Sequence, residues 1–152
     1  MIRILRDNAT HLGGRVQLNS LLFLVLMVVS ACGSAKNIER ATSSVDQFHS
    51  QFSSEQYQTI YNAADVDFQN ATKEADFVAL LDAVHRRLGN VQTCQRSNFQ
   101  ISASTGQGIV VTLVYNTTFD QGSGTERFLW RMRDNQPVLL GYHISSNAFV
   151  LK

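Results

Sequence analysis

The stretch LDAVHRRLGNVQTCQRSNFQISA, residues 81–103, contains the change of period on which the fold turns. Up to Gly89, apolar residues recur at three- and four-residue steps: Phe77, Leu80, Leu81, Val84 and Leu88 form one helical face. Arg86 and Arg87 suit the negative end of a helix dipole, and Gly89 is placed to stop the helix. Beyond it the step becomes two. Val91, Thr93, Phe99, Ile101 and Ala103 share one parity, while Gln92, Cys94, Arg96, Asn98 and Gln100 share the other, the pattern of a long half-buried strand.

Upstream, the helical step continues. Ile38, Ala41, Val45, Phe48 and Phe52 predict one helix, and Tyr57, Ile60, Tyr61, Ala64 and Phe68 a second. Ser54 and Thr72 are the expected N-caps, with a loop at Asn70-Ala71-Thr72. Downstream, β-branched residues predict strands over 109–119, 126–133 and 138–146. Thr105-Gly106-Gln107-Gly108, Gln121-Gly122-Ser123-Gly124 and Asp134-Asn135-Gln136 separate them, and turns this short imply an antiparallel meander. Helices followed by an antiparallel sheet define the α+β class.

The N-terminal stretch LLFLVLMVVSAC, residues 21–32, has a different character. Its nine unbroken apolar residues, Leu21 to Val29, reach only about 14 Å as a helix, short of a ~30 Å hydrocarbon core. Arg3, Arg6 and Arg15 precede it, the order found in secretory signals. Val29-Ser30-Ala31-Cys32 resembles a bacterial lipoprotein box. The resemblance implies diacylglyceryl modification of Cys32, cleavage before it, and acylation of the new amino terminus. Gly33 in place of Asp implies sorting to the outer membrane, facing the periplasm. Residues 1–31 are thus expected to be a removed signal peptide, 32–37 a lipidated cysteine with a short polar tether, and 38–152 one domain. Several acyl chains suffice for stable anchoring.

About 120 residues remain, enough for one small core. Removing Arg3, Arg6, Arg15 and Asp7 takes thirteen basic and twelve acidic residues to ten and eleven. That balance gives no reason to expect nucleic acid. With Cys32 acylated, Cys94 has no partner within the chain and is expected to be either a sheltered thiol or a site of intermolecular pairing.

The order of elements resembles the cystatin-like, or nuclear-transport-factor-two-like, superfamily. So do the Leu88-Gly89 helix stop, the strand over 111–119 with Tyr115, Glu126-Arg127-Phe128 and Gly141-Tyr142-His143-Ile144. The similarity covers residues 45–146 and implies a curled sheet wrapping helices in a cone with a cavity. It implies no activity, because such folds host enzymes, binding modules and structural domains alike.

Strand parity sorts the candidate residues. Val111, Leu113, Tyr115, Phe128, Trp130, Met132, Val138, Leu140, Tyr142 and Ile144 are expected to face the helices, with Glu126 near the mouth. Tyr115, Glu126, Trp130 and Tyr142 are therefore the candidate ligand-cavity residues, although the same side chains can simply fill a core. The opposite parity places Val110, Val114, Leu129 and Leu139 among Arg127, Arg131, Arg133 and His143. The three arginines alternate along one strand, a candidate face for an anionic partner or a second copy. His49, His85 and His143 lack metal-ligand spacing, and no GxSxG elbow occurs. Neither a metal nor a cofactor is expected. The reading that follows is a membrane-anchored lipoprotein with a non-catalytic binding or interaction domain. The rivals are a small isomerase- or dehydratase-like enzyme using Glu126 with Tyr115 or Tyr142, and a structural dimer subunit.

Overall fold

A computed structural model describes the backbone of residues 16–150 and the side chains of residues 33–150. Residues 1–15, which hold the basic leader, lie outside the described residues, as do the side chains of the apolar run and of Cys32. The chain divides into two units, Met1–Gly33 and Ser34–Lys152, and the second carries the fold described below.

Helix α1 spans Val16–Ser53, and its face of Ala41, Val45, Phe48 and Phe52 is buried. Gly33 to Asn37, the expected short tether, are helical. The expected second helix is two, α2 (Tyr57–Asn62) and α3 (Val66–Ala71). The break has a local cause, since the Asp65 carboxylate accepts from Asp67 N and caps α3. Ser54 is not a cap; Gln56 stands at the N-cap of α2, after Glu55 takes φ 54°. α3 runs to Ala71, and Thr72 closes it rather than capping the next helix. α4 (Glu74–Leu88) buries Phe77, Leu81, Val84 and Leu88, whereas Leu80 is 43% exposed.

At Gly89 the backbone turns with φ 79°. A Cβ there would meet Asp120 Oδ2 at 2.6 Å, so both conformation and space call for glycine. Asp120 accepts from Asn90 N and Gln92 Nε2, and ties this turn to the far end of the second strand.

The four strands β1 (Val91–Ser104), β2 (Gly108–Phe119), β3 (Gly122–Arg133) and β4 (Gln136–Ser145) pair in sequence order, all antiparallel, as an unclosed curled sheet. The α+β class expected from the sequence is the observed one. The middle turn is tighter than expected: Gly122 to Gly124 already pair with Phe119 to Thr117. Asp134 and Asn135 both take positive φ, the two-residue hairpin that matches strand twist.

Two register irregularities change the parity. Between Leu129 and Trp130 the partner strand skips a residue, so Leu139 rather than Val138 or Leu140 opposes Trp130 and enters the core. In β1, bulges after Val91 and after Arg96 bring Cys94 and Arg96 opposite the inward Thr117 and Tyr115. Cys94 packs against the core, and Arg96 reaches Thr42 on α1 at 3.0 Å. Strict alternation would have placed both outside.

Candidate functional site

Among the described residues, the most concentrated polar chemistry in the core surrounds Glu126. β3 parity points it at the helices, between Phe128 and Gly124, and only 1% of it is exposed. It does not sit at a mouth. Oε2 accepts from Thr117 Oγ1 of β2 at 2.5 Å and lies 2.8 Å from His49 Nε2 on α1. Oε1 accepts from Tyr142 of β4 at 2.8 Å. Burial, and then the Glu126 charge and hydrogen bond, push the Tyr142 hydroxyl well above its ordinary value, so it stays the proton donor. Thr117 and Tyr142 donate, and His49 makes a third contact whose direction its tautomer sets, so three elements meet on one carboxylate.

Phe48, Phe128 and Tyr142 surround this cluster as a mutually packed aromatic group, with ring centroids 4.8–5.2 Å apart. His49 is 7% exposed and packs edge-on to Phe128 at 5.7 Å. Acid and base types are present, but protein donors already hold the carboxylate and protein side chains enclose it.

The other candidates scatter. Tyr115 is 4% exposed; its hydroxyl is buried beside Thr42 and Arg96 without a hydrogen bond of ordinary geometry, and it does not reach Glu126. Burial raises its pKa. Trp130 stacks on Phe128 and is 5% exposed. It lines a cleft of about 80 Å³ between α1, α2 and the β3–β4 hairpin, with Gln47, Gln51, Ile60 and Leu139 among the other walls. The buried indole Nε1 has no acceptor among the described residues.

The arginine row is not a free row. Arg131 is 6% exposed, paired with Asp65 at 2.8 Å and Asp67 at 2.6 Å. Arg133 donates to the same Asp65 carboxylate, Nε to Oδ2 at 2.8 Å. These bonds, the Arg133 hydrogen bond foremost, hold the Asp65 carboxyl below its ordinary value. Asp65 N also donates to Leu139 O, so the α2–α3 turn binds the outermost strand. Of the row, Arg127 is exposed, Arg133 is partly so, and Arg131 is withdrawn into the structure. His143 is exposed on the face away from Glu126, as parity expects.

His49 and Thr117 escaped the sequence reading of the site, yet both left a signal. His49 falls in the buried face of α1 at four residues from Val45, and Thr117 lies within the inward series Leu113, Tyr115, Thr117, Phe119. A polar residue in an apolar series needs a partner. Among the described residues, no cluster of three or more His, Cys, Asp or Glu side chains could hold a metal ion. None of the helices among them is long and apolar enough to cross a membrane.

The chain matches no model of a known protein family, and none of the curated proteins is significantly similar to it in sequence.

Proposed function

We propose that the protein is an envelope lipoprotein, anchored through Cys32 in the outer membrane and facing the periplasm, whose domain binds rather than catalyses. The anchor rests on the Val29-Ser30-Ala31-Cys32 box and the basic, apolar leader before it. The binding reading rests on one observation: Trp130 lines a cleft, and its buried Nε1 has no acceptor among the described residues. An orphaned buried donor is costly, and a ligand oxygen removes the cost. The cleft has room for several waters or one short side chain. Its walls combine Phe48, Ile60 and Leu139 with the amides of Gln47 and Gln51. The fitting ligand class is a small aliphatic group carrying an acceptor, such as a peptide carbonyl beside its side chain. The enclosure of Glu126 supports the non-catalytic side of the reading, since His49, Thr117 and Tyr142 already engage its carboxylate oxygens. The likeness to cystatin-like domains in element order is consistent with this and adds no ligand.

The anchor is tested by lipid labelling and intact mass: Cys32→Ala abolishes labelling and leaves precursor, and unchanged labelling and size refutes it. The cleft is tested by native mass spectrometry of the processed protein against Trp130→Phe. A small adduct on the first and none on the second supports the reading. Clean masses on both, with unaltered Trp130 fluorescence across a panel of short aliphatic peptides, oppose it.

A further inference from the structure

The Trp130 cleft does not end at its own walls. Ser44, Gln47 and Pro137 line it, and the same three residues line a shallow groove with Lys36, Arg40 and Gln136. Cleft and groove adjoin, and together they form a channel between α1 and the β3–β4 hairpin, with Ile60 of α2 at the cleft end.

The spacing of α1 builds one wall. At 3.6 residues per turn, Lys36, Arg40, Ser44, Gln47 and Gln51 fall within about 80° of the helix circumference. The buried face of Ala41, Val45, Phe48 and Phe52 lies beside that stripe. Thr42, on the opposite flank, reaches Arg96 of β1. Helix α1 thus turns one flank to β1 and the other to β4, and the channel follows the β4 flank.

Its charge is one-sided. Lys36 and Arg40 are exposed, and none of the ion pairs among the described residues engages either. Glu39 also lines the groove. The helical count puts it about 60° beyond Lys36, on the side turned away from the core, so it stands at the outer rim while the cations stand along the channel. Further in, the walls are amide. The side chains of Gln47, Gln51 and Gln136 make no hydrogen bond among the described residues. Each amide carries donors and an acceptor, the complement of a peptide backbone.

Length sets the spacing of a ligand. The cleft lies level with Gln47 and Gln51, and Arg40 is seven residues before Gln47, about 10 Å along the helix. An extended peptide covers that distance in about three residues, at roughly 3.3 Å each.

We infer that the channel binds an extended peptide carrying an acidic side chain about three residues from a small aliphatic one. The aliphatic group and its carbonyl enter the Trp130 cleft, the backbone runs along the glutamine amides, and the carboxylate meets Lys36 and Arg40. This rests on the reading of the Trp130 cleft as a binding site, and it names the class of partner that the site takes.

Trp130 is the single tryptophan of the chain, so its fluorescence reports on the cleft in the full-length protein, held in detergent micelles, without a label. The probes are acetyl-Val-Gly-Gly-Glu-amide, the reversed acetyl-Glu-Gly-Gly-Val-amide, and the glutamine twin of each. A further peptide, acetyl-Val-Glu-Gly-Gly-amide, holds the carboxylate too close to the cleft. One of the first two is expected to bind about fivefold tighter than its glutamine twin and than the close-spaced peptide, a preference within what two exposed ion pairs supply. Added salt shrinks that preference. Lys36→Glu together with Arg40→Glu, both at exposed sites, removes it and leaves the affinity for the glutamine twin unchanged. Equal binding of glutamate and glutamine peptides overturns the channel and leaves the cleft standing. So does a preference that survives the double variant or ignores the spacing. Binding of no peptide also overturns the channel. The cleft is then decided separately by native mass spectrometry against Trp130→Phe: a small adduct confined to wild type keeps it, and clean masses on both remove it.

Discussion

His49 on α1 and Glu126 on β3 meet at 2.8 Å across 77 residues of sequence, with both side chains almost fully buried. Together with Thr117 and Tyr142 they join α1 to the three strands β2, β3 and β4 through one carboxylate. A buried carboxylate with satisfied lone pairs stabilises weakly on balance, but breaking such a set leaves donors stranded.

Glu126→Ala is accordingly expected to destabilise by about 3–5 kcal/mol, with Glu126→Gln costing less because one acceptor and the shape survive. The urea midpoint at neutral pH measures it. An unchanged midpoint for the alanine variant means that the cluster does not hold α1 to the sheet.

The two inward tyrosines should part company. Tyr142 donates to Glu126, so Tyr142→Phe is expected to lose about 1.5–3 kcal/mol, the range for a hydrogen bond to a charged group. Tyr115 has a buried hydroxyl without a partner, so Tyr115→Phe is expected to be neutral or mildly stabilising. Thermal unfolding of the pair decides; equal losses contradict the assignment.

Asp65 makes stability depend on acid. Its folded-state pKa lies below the ordinary 3.8, chiefly through Arg133, so the ionised carboxylate stabilises the fold above that ordinary value. The contribution falls away as pH drops from about 4 through the folded-state value. Asp65→Asn is expected to be markedly less stable than wild type at pH 7, with the gap closing below about pH 4. Urea midpoints across pH 2.5–7 for both proteins show it, and a gap constant over that range counts against the carboxylate's role.

Gly89→Ala combines a φ of 79° with a Cβ 2.6 Å from Asp120 Oδ2. A loss of about 1–3 kcal/mol is expected. Gly106→Ala is the control for φ alone, having nothing within 4 Å of its Cβ, and should lose less.

Cys94 packs against the core, and burial, with Asp46 and Glu126 adding to it, raises its thiol pKa. Alkylation by iodoacetamide at pH 8 is expected to run well below the rate of the same cysteine in urea, because the thiolate is the reactive form. Equal rates mean an open thiol.

The amino-acid sequence by itself determined the change from helix to strand at Gly89, the number and order of the strands, and the inward side of β2 and β3. Those are short-range properties: apolar spacing and turn residues act within a few positions of one another. Tertiary structure decided the rest. Bulges moved Leu139, Cys94 and Arg96 to the inner side, because strand pairing rather than alternation sets which residues oppose. It also gave Glu126 its His49, and gave Arg131 and Arg133 their Asp65, 66 and 68 residues away. A polar side chain in an apolar series announces that it needs a partner. Only the folded chain brings that partner within hydrogen-bond reach.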